Sequence, residues 1–189
     1  HAESTAAGLD AKPYSHSAAE RAVGQHLQCL HAPVARLERT DAGLQPRFAL
    51  QAPAPRVSVI IPTRNGIEVL GPCLRSLLYQ THYPNLEILV VDNGSDDPAT
   101  LAFLADLEAA GRIRVLVDDS PFNYSALNNK AVDQASGEWI CLMNNDIEVI
   151  QPEWLIQMMA YAQRPDVGAV GARLLYPDRR IQHGGVLLG

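Results

Sequence analysis

Residues 57–65, with the sequence VSVIIPTRN, indicate the fold class of this chain. The run over 57–62 is mostly β-branched and apolar, as in a buried strand, and a helical stretch with an apolar face follows over 70–78. The same alternation predicts strands over 86–91, 112–117 and 138–143, and helices over 97–110, 123–136 and 152–163. Apolar strands that alternate with helices predict an α/β fold, with a mainly parallel sheet and helices on both faces.

The two ends of the chain complete the predicted organisation. Further short strands are predicted over 167–172 and 181–188. Upstream, apolar spacing predicts a helix over 17–30, restarting over 34–37 after Pro33, with a loose tail over 1–16. Gln51–Arg56 contains two prolines and is typical of a linker. We therefore expect a tail, helical appendage and linker over 1–56, and an α/β domain over 57–189.

Composition and charge exclude several classes of protein. The chain has 189 residues with 47% hydrophobic content, and no apolar run approaches the roughly 18 residues of a membrane-spanning helix. Three cysteines without a CxxC pair are typical of buried thiols in a reducing compartment. Residues 57–189 hold 9 basic and 16 acidic residues, a net charge of -7, which disfavours nucleic acid as a partner. A phosphorylated ligand would need added positive charge, for which a divalent cation, helped by Arg64 and Lys130, is the simplest source.

Ligands of an open parallel sheet bind beyond the carboxyl ends of its strands, so the turns there are informative. The turn after the first strand lacks both the GxGxxG and the GxxxxGK[ST] patterns, which disfavours a nicotinamide or ATPase site. The second turn lies within VVDNGSDD at 90–97 and has two interpretations. It is either a tight turn that starts the next helix, or it directs Asp92 and Asn93 toward a nucleotide base or ribose.

The turn after the fourth strand, in ICLMNNDIEV at 140–149, places two amides and a carboxylate at the strand end. Asn144, Asn145 and Asp146 could offer oxygen ligands to Mg²⁺ or Mn²⁺, cations that commonly take only one or two protein carboxylates. The alternative is a polar turn that leads into the next helix.

Four segments together resemble family 2 glycosyltransferases, and more narrowly the bacterial branch that includes rhamnosyltransferases. They are VSVIIPTRN at 57–65, LLYQTHYPNLEILVVDNGSDD at 77–97, SALNNKAVDQASGEWICLMNND at 125–146 and IQHGG at 181–185. The resemblance covers residues 57–189, about two thirds of the chain, with the motifs in the family's order. It implies a GT-A fold that holds a nucleotide-sugar donor over the strand ends.

The resemblance also implies roles for residues in the first two turns. Pro62 and Thr63 match the turn that lies against the nucleoside. Asp92 matches the first acidic residue of the family's Asp-Asp-Gly-Ser pattern, whereas Asn93 replaces the second, which contacts the base. Because an amide both donates and accepts, Asn93 can pair with uracil or thymine. Asn129 matches a family asparagine near the diphosphate or the loop that surrounds it.

The family's Asp-x-Asp metal motif aligns with residues 144–146. Asp146 keeps the carboxylate expected to meet the metal, whereas Asn144 replaces the other one. Asn144 and Asn145 are expected to contact the nucleotide. Family members supply their catalytic base well after this motif, and no matching residue occurs before Gly189. The resemblance therefore predicts that residues 57–189 hold the donor half of the site and that the base lies beyond Gly189.

The expected function is an inverting, metal-dependent glycosyltransferase of bacterial surface polysaccharide synthesis. Its donor would be a UDP- or dTDP-sugar, rhamnose included, and its acceptor a saccharide or lipid-linked saccharide. We expect the enzyme to be cytoplasmic, either free or bound peripherally to the inner face of the membrane. Two alternatives stay open: a sugar-phosphate nucleotidyltransferase, although the first turn lacks that class's glycines, and a non-catalytic nucleotide-sugar-binding module.

Overall fold

The computed structural model describes residues 13–40 and 43–185. The chain divides into two compact units, one formed by residues up to 50 together with 159–170, and the other by residues 51–158 together with those from 171 onward. The division into 1–56 and 57–189 stays a prediction.

The first unit combines a helix with a β-hairpin. Helix α1 spans Pro13–Cys29, and the antiparallel strands β1 and β2 span Val34–Thr40 and Gly43–Phe48. The predicted helical restart over 34–37 is therefore wrong, because pairing with β2 satisfies the backbone of this segment as a strand. The predicted tail is also wrong over 13–16, which belong to α1, and its first twelve residues lie outside the described part of the chain.

The second unit is built on a four-stranded sheet whose pairs are all parallel, in the order β5-β4-β3-β6. Its strands are β3 (Val57–Thr63), β4 (Leu86–Asp92), β5 (Arg114–Val117) and β6 (Trp139–Leu142). The connecting helices are α2 (Ile67–Gln80), α3 (Pro98–Ala109) and α4 (Tyr124–Val132), and α5 (Trp154–Ala162) follows β6. This arrangement confirms the predicted α/β fold with a mainly parallel sheet.

The core lies around β3 and β4. All seven residues of β3 are buried, so both faces of this strand are covered. Ile60 and Val91 pack with Leu127 and Ala131 of α4. The N-terminus of α4 is capped by Asn123, whose side chain accepts a 3.0 Å hydrogen bond from the Ala126 backbone.

Glu87, at the second position of β4, is a buried carboxylate that joins three segments. It accepts hydrogen bonds from the Ser58 hydroxyl, from Arg114 at 2.8 Å and from the Ser136 backbone at 2.9 Å. Burial alone would raise the pKa of Glu87, but these hydrogen bonds outweigh it and lower the pKa to about 2. The network lies near the amino ends of the parallel strands, opposite the ends where ligands bind.

The C-terminal strands differ from the prediction. Residues 167–172 form no strand, and Gly168 and Gly171 weaken any tendency toward one. The pairing involves instead β7 (Leu174–Leu175) and β8 (Ile181–His183), which are antiparallel. The end of the second predicted strand, residues 186–188, lies outside the described residues.

The three cysteines are free thiols, but only in part buried as expected. Cys73 is buried and Cys141 is half-buried, whereas Cys29 is exposed, which corrects the expectation for that residue. Over residues 13–40 and 43–185, no helix is both long and apolar enough to cross a bilayer.

Candidate functional site

A cleft opens where the strand order changes direction. From β3, the chain adds β4 and β5 on one side and β6 on the other, and such a switch point in a parallel sheet is where ligands bind. The cleft has a volume of about 240 Å³. Its lining residues are Pro62, Thr63, Arg64, Phe122, Tyr124, Asn144, Asn145 and Asp146. The structure thus brings together all the predicted site residues from the first and fourth turns.

The first and fourth turns are joined by a side-chain hydrogen bond. Asn145 donates from Nδ2 to the Thr63 hydroxyl over 3.0 Å, and Thr63 itself is buried at the end of β3. Asp146 follows directly, with an exposed side chain. The carboxylate therefore faces solvent at the cleft while its neighbour fixes the turn to the central strand.

Asp92 and Asn93 lie at the end of β4 and are each only 4% exposed. Asp92 is the register partner of Thr63, and its Oδ1 accepts a 3.1 Å hydrogen bond from the Ser95 backbone. Asn93 donates from Nδ2 to the carbonyl oxygens of Asp118, at 2.7 Å, and Ser120, at 2.8 Å. Both amide hydrogens of Asn93 are thus engaged. Neither Asp92 nor Asn93 is among the residues that line the cleft.

Asn65 organises the second turn, a role that the sequence analysis missed. Its Oδ1 accepts from the backbones of Asp96 and Asp97 at 2.9 and 3.0 Å, and its Nδ2 donates to Asp96 Oδ1 at 2.7 Å. Its own backbone donates to the Ser95 hydroxyl at 2.7 Å. Asn65 and Gly66 both have positive φ, 52° and 72°, a conformation that an Asn-Gly pair favours. The Asn-Gly dipeptide was therefore the sequence feature that could have indicated the structural role of Asn65.

Helix α4 places two neighbouring asparagines differently. Asn129, the predicted site residue, is exposed and does not line the cleft. Asn128 is buried and donates from Nδ2 to the Tyr124 carbonyl at 2.8 Å, whereas its Oδ1 has no partner within the described chain. Since Tyr124 lines the cleft, Asn128 supports the helical turn that borders it.

The two basic residues expected to help bind a phosphorylated ligand, Arg64 and Lys130, differ in their surroundings. Arg64 lines the cleft and is exposed. Lys130 forms a 2.6 Å ion pair with Asp118 instead. Hydrogen bonds from Lys130 and Ser120 lower the pKa of Asp118 to about 2, so this carboxylate stays charged.

The oxygen atoms of the fourth turn fit a hard divalent cation as part of its coordination shell. No group of three or more His, Cys, Asp or Glu side chains that could enclose a metal occurs among the residues that the structure describes. Mg²⁺ and Mn²⁺ usually take one or two carboxylates and complete their shells with phosphate and water. The Asp146 carboxylate beside two amide side chains suits a cation that arrives with a phosphorylated ligand.

Comparisons with known proteins point to one family. The family model for glycosyl transferase family 2 matches residues 58–183. The chain is 46% identical over 192 residues to "Uncharacterized protein y4gI" of Sinorhizobium fredii, an alignment that covers 98% of this chain and 21% of that protein. It is 47% identical over 135 residues to "O-antigen biosynthesis protein RfbC" of Myxococcus xanthus, covering 71% of this chain and 10% of that protein. The chain thus spans about a fifth or less of these relatives.

Solved structures support the fold. The chain superposes on a mannosyltransferase from Pyrobaculum calidifontis, solved with GDP-Man and Mn²⁺, with a TM-score of 0.58 and 23% identity over 87% of this chain and 45% of that one. It also superposes on residues 1–349 of Staphylococcus aureus TarS, with a TM-score of 0.50 and 26% identity over 57% of this chain and 32% of that one. The predicted GT-A fold is confirmed.

Proposed function

This chain belongs to glycosyl transferase family 2, and we propose that residues 57–189 form the donor-binding half of an inverting glycosyltransferase. The observation that carries the proposal is the cleft between the ends of β3 and β6. Pro62, Thr63 and Asp146 all line it, and Asn145 donates to the Thr63 hydroxyl. A nucleoside diphosphate needs both a nucleoside platform and a charged group near its phosphates. The cleft supplies both at the switch point of the sheet.

The nucleoside is proposed to lie over the ends of β3 and β4, with its base at Asn93. Because both amide hydrogens of Asn93 bind backbone carbonyls, its Oδ1 offers a single acceptor. Uracil and thymine each present one ring N–H between two carbonyls, which suits a single acceptor. Guanine presents two adjacent donors, which a two-oxygen carboxylate would match better. The amide therefore favours UDP or dTDP over GDP.

The diphosphate is proposed to lie near Asp146 and Arg64, the two charged side chains that line the cleft within the described residues. Asp146, with Asn144 and Asn145, would hold a divalent cation, and the guanidinium of Arg64 can pair with phosphate oxygens. A bound Mg²⁺ or Mn²⁺ would stabilise the negative charge that builds on the leaving diphosphate. The protein's own part is to position the anomeric carbon for attack by the acceptor hydroxyl.

The wider role is proposed from the relatives. The similarity to an O-antigen biosynthesis protein supports a saccharide or lipid-linked saccharide acceptor and a role in surface polysaccharide synthesis. We also propose that the enzyme acts at the cytoplasmic side, including the inner face of the membrane. Three further points are predictions from the family resemblance. They are rhamnose as the transferred sugar, inversion at the anomeric carbon, and a catalytic base beyond Gly189.

A thermal-shift panel tests the proposal on this chain. UDP, dTDP and GDP are each added with and without Mn²⁺, and GDP is included because the P. calidifontis neighbour was solved with GDP-Man. A ligand that binds only the folded state raises the apparent stability by mass action. We expect UDP or dTDP with Mn²⁺ to raise the melting temperature most. Stabilisation by GDP but by neither UDP nor dTDP would overturn the base assignment. If none of the three nucleotides stabilised the protein, the proposed function would be overturned.

A further inference from the structure

The turn that carries Asp146 is held by buried contacts on both sides of the carboxylate. On its amino side, the Met143 backbone donates to the Ile60 carbonyl at 3.0 Å, and Asn145 donates to Thr63. These contacts tie the turn to β3. They leave open what fixes the opposite side, from Asp146 to Val149.

Helix α2 contacts the turn on both sides of Asp146, through two polar side chains one helical turn apart. The Cys73 thiol lies 3.7 Å from the Asn144 carbonyl oxygen, to which it donates. The Ser76 hydroxyl donates to the Cys73 carbonyl at 2.9 Å and accepts from the Val149 backbone at 3.0 Å. Both side chains are buried in a helix whose other buried residues are mostly apolar. A buried hydroxyl is retained where its hydrogen bonds are satisfied, as they are here.

The side chain of Asp146 has no hydrogen bond or ion pair with any residue that the structure describes. Its position is therefore set by the backbone of its turn. That backbone is fixed two residues before Asp146 by Cys73 and three residues after it by Ser76. A shift of about 1 Å in a ligand-binding group can cost a large factor in affinity or rate.

We propose that Cys73 and Ser76 are positioning residues that hold the Asp146 turn in place for a cation-bound diphosphate, with Ser76 making the stronger contact. The proposal rests on the proposed function, because it requires a metal-dependent nucleotide site at Asp146. Some residues do not bind the metal themselves but orient a residue that does. Their removal typically changes metal affinity by about 10–100-fold. The S–H group is a weak donor, so Cys73 contributes less than Ser76.

A double-mutant cycle between Ser76 and Asp146 tests the proposal. Calorimetry measures UDP or dTDP binding in Mn²⁺ and in EDTA for the wild type, Ser76→Ala, Asp146→Ala and the double variant. Ser76→Ala should weaken binding in Mn²⁺ by about tenfold and leave binding in EDTA unchanged. In the double variant the two losses should not add, because Ser76 acts through Asp146.

Ser58→Ala is the matched control. Ser58 is also a buried serine whose hydroxyl accepts from a backbone N–H, that of Gly137 at 2.9 Å, but it lies in the Glu87 network. The Ser58→Ala variant should have a lower melting temperature, but the ratio of its nucleotide affinities in Mn²⁺ and in EDTA should equal that of the wild type. A control that changed this ratio would overturn the proposal, since general destabilisation would then explain the Ser76 effect.

The remaining outcomes separate the two proposals. A wild type with equal affinity in Mn²⁺ and EDTA overturns both. A metal-dependent wild type in which the Ser76→Ala and Asp146→Ala losses add, or in which Ser76→Ala weakens binding equally in both buffers, overturns only the positioning role. If Ser76→Ala does not fold, Cys73→Ala is used in the same cycle. Its smaller loss should be rescued by Cys73→Ser, which restores a donor, and failure of that rescue contradicts the proposal.

Discussion

The ammonium group of Lys130 lies 2.6 Å from the Asp118 carboxylate, and both residues line a groove beside β5 rather than the cleft. Lys130 is therefore paired with a carboxylate that stays charged, and it is not among the residues that line the cleft. Arg64 is the cation that lines the cleft. The cleft is thus lined by one carboxylate, that of Asp146, and one arginine, and this is why the proposed diphosphate site includes a divalent cation.

Asn93→Asp would restore the acidic residue of the family pattern, yet we expect it to destabilise this protein. The carboxylate cannot donate to the Asp118 and Ser120 carbonyls, and it is buried beside them. The expected loss in the free energy of unfolding is about 2–3 kcal/mol, measured by urea denaturation. Asn85→Asp is the control, since Asn85 is exposed and donates to a single carbonyl. Equal stability of Asn93→Asp and the wild type would contradict the role given to Asn93.

Glu87→Gln should weaken the dependence of stability on acid pH. The pKa of Glu87 is about 2 in the folded protein, below its ordinary value of 4.5, so the ionised carboxylate stabilises the fold. That contribution is complete above pH 4.5 and is lost as the pH falls toward 2. At pH 7 the variant should lose about 1–3 kcal/mol of unfolding free energy. Denaturation curves from pH 2 to 7 measure this.

Glu138→Gln provides the comparison for Glu87, because Glu138 is exposed and the substitution is the same. Its stability should follow the wild type at every pH. If Glu87→Gln also kept the wild-type pH dependence, the buried network would not be the source of the acid sensitivity.

Gly137→Ala should destabilise the protein through a steric clash. A Cβ at this position would lie 2.6 Å from both the backbone nitrogen and the hydroxyl of Ser58, and 2.9 Å from the Arg56 carbonyl. Because two of these atoms belong to the backbone, the strand itself must shift. We expect a loss of about 1–3 kcal/mol in chemical denaturation. Gly171→Ala, where a Cβ meets no atom within 4 Å, should be close to neutral, and equal losses in the two variants would refute the argument.

The sequence predicted the sheet and its binding edge because both depend on local pattern. Runs such as 57–62 and 86–91 are mostly apolar, with Ser58 and Glu87 as the polar exceptions, as is typical of strands covered on both faces. Parallel strands end at the same edge, so the turns after β3 and β6 had to meet, and they do in the cleft. The prediction failed where a short segment could form either structure, as over 34–37, where only pairing with β2 decides for a strand.

The contacts that hold the site could not be predicted, because their partners are distant in sequence. Ser76 meets Val149 across 73 residues, and Asn65 meets Asp96 across 31. Glu87 gave a partial signal, as a single carboxylate within an apolar strand. Its partners Ser58 and Arg114 lie 29 and 27 residues away, on the two strands that flank β4, and only the strand order identifies them.

The most direct test of the account is calorimetry of UDP or dTDP in Mn²⁺ and in EDTA, with the wild type, Asp146→Ala and Asn144→Ala. Asp146→Ala should lose the Mn²⁺-dependent part of the affinity and keep its fold, because the residue is exposed at a strand end. Asn144→Ala should lose less, since a neutral amide binds a cation more weakly than a carboxylate. Equal wild-type affinity in the two buffers, or Mn²⁺-dependent binding that survives in Asp146→Ala, would contradict the assignment of the donor site.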